Sequence, residues 1–186
     1  MRIVAGEWRG RRLARPAPAT RPTSERVREA VFDLLEARRP PAAAVLDLFA
    51  GTGALALEAL SRGAGRAVLV EGDAAAARVV RRNIALCGAE GRARLLAMDW
   101  RRALDRLERE GERFGLVFLD PPYGRGLLEE ALRRLDGEGA APLLEPGALL
   151  VAERARGEEL PQGVGSFIRL DERRYGETVV AILTRG

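Results

Sequence analysis

The stretch "VLDLFAGTGALALEAL", residues 45–60, decides the fold. A run from Val45 to Phe49, apolar but for Asp47, passes through Ala50-Gly51-Thr52-Gly53 into strong helix formers that continue to about Arg62. A short apolar run, then glycines, then a helix is the opening of an α/β unit. Gly51-x-Gly53-x-x-Ala56 satisfies the dinucleotide fingerprint in its relaxed form. Glycines there let the backbone approach a ligand where a Cβ would collide. Glu71 ends the next apolar run, twenty residues after Gly51. A carboxylate at that place accepts from both hydroxyls of a ribose. The loop announces a nucleoside-containing cofactor without choosing which.

Outward from this unit, apolar runs and helical patterns alternate. Strands are expected at 45–49, 67–71, 93–99, 116–120 and 148–153, and helices at 54–62, 73–87, 100–110 and 127–135. Two more strands, near 166–171 and 178–184, meet through "RRYGET" as a hairpin. The alternation predicts an α/β fold, a mainly parallel doubly wound sheet with an antiparallel edge. Before it, "RIVAGEWRGRRL" reads as two short strands around Gly6 and Gly10, followed by the proline-rich link "RPAPATRPT". A helix then starts near Ser24, capped by Thr23 or Ser24. Val27, Ala30, Val31, Leu34 and Leu35 form one apolar face, so this helix docks on the main sheet. Two regions result: a basic N-terminal arm, 1–40, and a cofactor-binding domain, 41–186.

The chain has 186 residues and no histidine; all 31 basic residues are arginine. Histidine acid–base catalysis and histidine metal ligation are excluded, and Cys87, the only cysteine, rules out an intrachain disulfide and a thiolate zinc set. No metal is expected. The apolar runs are far too short to span a bilayer, and the N-terminus lacks a signal-peptide core. A cytoplasmic protein with no membrane partner is expected. Residues 1–40 hold ten Arg against five acidic residues; since the whole chain is +4, the remainder is −1. A basic head on a near-neutral body points to a polyanion, above all nucleic acid.

Asp47 narrows the cofactor. A pyrophosphate against the loop would find its charge unwelcome, whereas S-adenosylmethionine brings an ammonium and a sulfonium. Asp99 either accepts from the adenine amino group or caps the helix that begins at Trp100.

"VFLDPPYGRG", residues 117–126, supplies the chemistry. Asp120 ends an apolar run on the same rim as the glycine loop. Pro121 and Pro122 lack N–H groups and hold the preceding residues extended, which leaves a stiff ridge of acceptors: the Asp120 carboxylate and the Pro121 carbonyl. Two acceptors suit the two hydrogens of an amino group on a planar ring, and Tyr123 offers that ring a face to stack on. Gripping both hydrogens turns the nitrogen lone pair out of the ring plane, toward a methyl donor. Asp120 then stabilises the charge developing on nitrogen or takes the proton. Trp8, Arg9, Arg11, Arg12, Arg15, Arg21 and Arg26 are candidate RNA contacts, the arginines on phosphates and the aromatic on a base. Arg21 and Arg26 could instead meet the cofactor's carboxylate. The arginines at 101, 102, 106 and 109 read as ordinary helix surface.

"DLFAGTGALALEALSRGA" with "DPPY" resembles class I S-adenosylmethionine-dependent methyltransferases acting on exocyclic amino groups. "RIVAGEWRGRRL", "RPTSERVREAVFDLL" and "DPPYGRGLLEEAL" narrow the resemblance to the RsmD-type 16S ribosomal RNA guanine-N2 methyltransferases of bacteria, over nearly the whole chain. It implies a Rossmann-like seven-stranded sheet with an antiparallel last hairpin, plus a small N-terminal hairpin and helix. The implied partner is 16S rRNA within the 30S subunit or an assembly intermediate; a monomer is expected, though the sequence itself does not give the oligomeric state. Asp47, Gly51, Gly53, Glu71 and Asp99 would hold S-adenosylmethionine, and Asp120, Pro121, Pro122 and Tyr123 the base. Two alternatives stay open: methylation of another amino group, on DNA adenine or a protein amide, and a non-catalytic RNA-binding assembly factor.

Overall fold

The computed structural model describes residues 1–15, 25–38, 41–137, 143–158, 160 and 165–185. Among them the elements are α1 (Glu25–Glu36), β1 (Ala44–Asp47), α2 (Ala54–Ser61), β2 (Arg66–Val70), α3 (Ala74–Cys87), β3 (Ala93–Leu96), α4 (Trp100–Arg109), β4 (Phe114–Leu119), α5 (Leu127–Asp136), β5 (Leu144–Ala155), β6 (Phe167–Tyr175) and β7 (Thr178–Arg185). The strands form one sheet in the order β3-β2-β1-β4-β5-β7-β6. Strands β1 to β5 run parallel, and β7 lies antiparallel between β5 and β6. This is the expected sheet, with its reversing hairpin at one edge.

Every residue of β1 and β4 is buried, as strands covered on both faces must be. Alternate side chains feed two cores. Val45, Leu69 and Phe118 pack with α1, α2 and α3, while Leu46, Val117 and Leu119 pack with α4 and α5. The chain crosses from one face to the other between β1 and β4, and in open α/β sheets that switch point opens a crevice at the carboxyl ends of the strands.

The N-terminal segment pairs antiparallel at Arg2 and Arg12, with Ile3 and Gly10 closing the turn, so the expected hairpin is reduced to a single bridge. Its hold on the body is polar as well as apolar. Glu58, on the largely apolar α2, is fully buried. Its carboxylate accepts from the backbone N–H groups of Val4 (2.8 Å) and Ala5 (2.9 Å) and from Arg62 Nε (3.0 Å). Arg28, also fully buried, places Nε 3.6 Å from Glu58 and donates to the Arg2 carbonyl at 2.6 Å. Burial pulls the Arg28 guanidinium below its ordinary pKa, and Glu58 works against that shift. Ser61 accepts from Trp8 N–H and donates to the Ala5 carbonyl. Gly6 sits at φ +79°, where a Cβ would lie 1.8 Å from the Ser61 carbonyl oxygen, so only glycine fits there. Ile3, Trp8 and Leu13 belong to the same apolar core as α1 and α2. The expected cap of α1, Thr23 or Ser24, lies outside the described residues. No helix among the described residues is long and apolar enough to cross a membrane.

Glu58 is thus the acceptor that the arm is built around. Glu58→Ala strands a buried guanidinium and two backbone donors, and should cost about 3–5 kcal/mol in denaturant unfolding. A loss under about 1 kcal/mol would show that the arm docks by apolar contact alone.

Candidate active site

At the carboxyl end of the sheet lies a cleft of about 840 Å³. That is roughly the size of a small-molecule site. The loop after β1 (Leu48 to Thr52), Glu71 to Asp73 after β2, Asp99 to Arg101 at the start of α4, and Asp120 to Tyr123 after β4 form its walls. One cleft therefore brings together Gly51, Glu71, Asp99, Asp120, Pro121, Pro122 and Tyr123, all named from sequence.

The loop is tied to the next strand. Gly51 N–H donates to one oxygen of Glu71 (2.8 Å), and Asp73 N–H donates to the other (2.8 Å). Each oxygen keeps acceptor capacity toward a hydroxyl, and the bonds hold the carboxylate on the cleft wall. A Cβ at Gly51 would meet nothing within 4 Å, so the backbone there is open to a ligand. Gly53 serves differently: at φ +76° it turns the chain into α2, and a Cβ would come within 2.8 Å of Leu69. Its role is packing beneath the loop. An adenosine-bearing cofactor fits this donor and acceptor set: an exposed loop backbone, a ribose carboxylate and an acid beyond it.

Three of the named residues sit in surroundings that their sequence position did not show. Asp47 is 1% exposed and does not line the cleft; it lies beneath the loop. Neither of its oxygens makes a full hydrogen bond, although the N–H groups of Ala56 and Phe49 lie close enough to offset part of the cost. Burial pushes its pKa up to about 7, with Glu71 adding to the rise. Asp99 does not end β3, which stops at Leu96; it caps α4, accepting from Arg101 N–H (3.0 Å) and Arg102 N–H (3.4 Å). Its second oxygen lies 3.6 Å from Arg101 Nη1, and the residue also lines the cleft. Trp8 is 5% exposed, and Arg92 lies over its ring at 4.8 Å. Its indole anchors the arm and offers no open face to a base.

Arg9, Arg12, Arg15 and Arg26 are exposed, and none makes an ion pair among the described residues. Arg26 stands in the first turn of α1. Arg11 is exposed and donates to the Leu86 carbonyl (3.1 Å), which lays the arm along α3. Arg21 lies outside the described residues.

Sequence reasoning missed four residues. Arg101 lines the cleft, stacks on Trp100 (4.4 Å) and pairs with Glu130, so it is not plain helix surface. Asn83 is fully buried and joins arm to loop: its Oδ1 accepts from Ala14 N–H (2.7 Å), and its Nδ2 donates to the carbonyls of Ala14 (3.2 Å) and Thr52 (2.9 Å). A lone asparagine inside an arginine-rich helix was the available signal. Glu153, near the end of β5, is 7% exposed, lines the cleft, and accepts from the Tyr123 hydroxyl (3.0 Å). Tyr175, from the last hairpin, also lines the cleft. Tyr123 itself is 41% exposed, and burial of its hydroxyl beside Glu153 and Asp120 raises its pKa well above the ordinary phenol value. It stays protonated and donates.

Residues 1–184 match the family described as "Conserved hypothetical protein 95". The chain is 45% identical over 186 residues to ribosomal RNA small subunit methyltransferase D of Escherichia coli K12, covering all of this chain and 90% of that protein. It superposes on a solved hypothetical protein of Thermus thermophilus with TM-score 0.82 at 36% identity, covering 98% of each chain. An O-methyltransferase from Bacillus cereus, solved with S-adenosylhomocysteine, shares the fold (TM-score 0.66, 18% identity, 90% of this chain and 84% of that one).

The buried Asp47 makes stability depend on pH. Its folded pKa, about 7, lies above its ordinary value of 3.8. Between those values the native state holds a proton that the unfolded state has released, so rising pH removes stability. Asp47→Asn should raise the melting temperature of the free protein at pH 8 by about 3 °C or more beyond any change at pH 5. Equal shifts at both pH values would mean that Asp47 is ionised throughout.

Proposed function

We propose, because this chain belongs to the family of ribosomal RNA small subunit methyltransferase D, that it transfers a methyl group from S-adenosylmethionine to the exocyclic N2 amine of one guanine in 16S rRNA. The substrate is the 30S particle or an assembly intermediate, and the setting is therefore the cytoplasm. The observation that carries the reading is the shared cleft: the glycine loop with Glu71 on one wall, and the Asp120-Pro121-Pro122-Tyr123 turn on another.

When bound, S-adenosylmethionine supplies a methyl group on a cationic sulfonium. Glu71 would hold its ribose, Asp99 its adenine amine, and the backbone at Gly51 would lie against it. The remaining work falls to the turn after β4. Asp120 and the Pro121 carbonyl accept the two hydrogens of the target amine, which frees its lone pair from the ring. Pro121 is buried and Pro122 exposed, so the ridge is anchored at one side and open to substrate at the other. Tyr123, held through its hydroxyl by Glu153, keeps a ring face toward the entering base. As the nitrogen gains positive charge, Asp120 stabilises it and then accepts the proton. No metal or histidine is needed, and positioning carries much of the rate enhancement.

The arm would meet the RNA backbone. Arginines on the opposite side of the fold are largely spent on internal ion pairs: Arg94 with Glu110, Arg106 with Glu110, and Arg134 with Asp105 and Glu108. Within the arm, Arg2 pairs with Glu25, Arg28 with Glu58 and Arg38 with Asp171, whereas Arg9, Arg12, Arg15 and Arg26 make no ion pair among the described residues. Arg78, Arg81 and Arg82 on α3, along which the arm lies, are exposed, make no ion pair among the described residues, and extend this surface. Residues 1–40 thus act as the substrate-docking region and 41–186 as the methyl-transfer domain.

Labelled methyl should pass from S-adenosylmethionine into 16S rRNA of undermethylated 30S particles, and into neither free DNA nor protein. Asp120→Ala should lower transfer about 10³-fold or more while cofactor affinity stays within a few-fold. Loss of cofactor affinity would move Asp120 to the other wall of the site. Reversing the charge of Arg9, Arg11 and Arg12 should weaken particle binding and flatten its salt dependence. An unchanged slope would place the RNA surface elsewhere.

A further inference from the structure

Glu153 is a carboxylate in an unusual place. It follows the buried run Ala148–Ala152 in β5, is itself 7% exposed, and lines the cleft opposite the glycine loop. The parallel register pairs Leu119 of β4 with Ala152 of β5. Asp120 directly follows Leu119 and Glu153 directly follows Ala152, so the two carboxylates arise from neighbouring strands, and both line the same cleft. The Tyr123 hydroxyl donates to Glu153 Oε1 at 3.0 Å, which fixes the direction of the carboxylate. A carboxylate offers about four lone-pair positions and can accept from several donors at once, so the Tyr123 bond is compatible with a further donor from the cleft that Glu153 lines.

Two adjacent carboxylates present acceptors only. Guanine presents the complement on one edge: the N2 amine and, next to it, the ring N1–H. Adenine carries an acceptor at its ring N1. A carboxylate facing that atom would leave two acceptors opposed and desolvated, which is costly in a buried site. We propose that Glu153 is the specificity-determining residue of this site: its carboxylate accepts the ring N1–H of the target guanine beside the amine held by Asp120, and bases with an acceptor at that ring position are refused. The inference rests on the guanine-N2 reading and adds how guanine is told from other bases. The competing role for Glu153 is to hold Tyr123 in place. That role would treat all bases alike.

The test uses 30S particles reconstituted with 2-aminopurine in place of the target guanine. This base keeps the reacting N2 amine but has an acceptor at ring N1. The native protein should methylate guanine particles with a kcat/KM about 100-fold or more above that for 2-aminopurine particles. Glu153→Gln brings an amide N–H that can donate to the ring acceptor. It should lower the rate on guanine, and the ratio between the two substrates should fall at least about tenfold. Tyr123→Phe removes only the tether and should lower both rates together. Equal use of both bases by the native protein would overturn the proposal, and this arm needs no variant to fold. So would a Glu153→Gln protein with an unchanged ratio, whether its rates are retained or lost. A native protein that leaves guanine particles unmethylated would instead refute the proposed function, and the guanine control reveals this separately.

Discussion

The hydrogen bond from Gly51 N–H to Glu71 joins the ends of two neighbouring strands, and the cleft depends on it. The loop after β1 must turn sharply and leave its backbone open. Glycine permits that geometry but does not enforce it. Enforcement comes from outside the loop: the Glu71 carboxylate grips it from β2, and Asn83 grips the Thr52 carbonyl from α3. Because β4 pairs with β1 on the opposite side, the ridge at Asp120 emerges next to the same loop. The switch of sheet face between β1 and β4 makes the crevice, and these two bonds keep its floor in shape.

The arm belongs to this arrangement. Glu58 and Ser61 sit on the helix that the glycine loop opens, and both are committed to the backbone of residues 4–8. Asn83 binds Ala14 and Thr52 with one side chain. The basic segment and the glycine loop are therefore fastened to the same two helices. Met1 and Val27 complete the cleft wall on that side. A surface for a polyanion and a pocket for a nucleoside share one polar scaffold buried in one apolar core.

Most of the sheet was legible because its strands are buried runs separated by glycine, and its helices carry apolar faces at helical spacing. The glycine loop, Glu71 and the Asp120 turn were legible because each is a departure from those patterns at a strand's end. What remained hidden depends on contacts distant in sequence. Trp8 reads as an exposed aromatic among arginines until Arg92 is seen over its ring. Asp47 reads as an open carboxylate until its burial is seen. Glu153 and Glu58 each stand alone in apolar stretches, "ALLVAE" and "ALALEAL". Pattern alone marks such residues as odd. Only the register with β4, or the docked arm, shows what each carboxylate faces.

The central claim is that an amino nitrogen held at the double-proline ridge lies in line with a methyl group lodged over the glycine loop. A crystal structure with S-adenosylmethionine bound measures this directly. The account requires the methyl carbon to lie within about 5 Å of the space between the Asp120 carboxylate and the Pro121 carbonyl, leaving room for a near-attack nitrogen. A methyl carbon more than about 10 Å from that ridge, or pointing away from it, would contradict the account, because no base stacked on Tyr123 could then reach it.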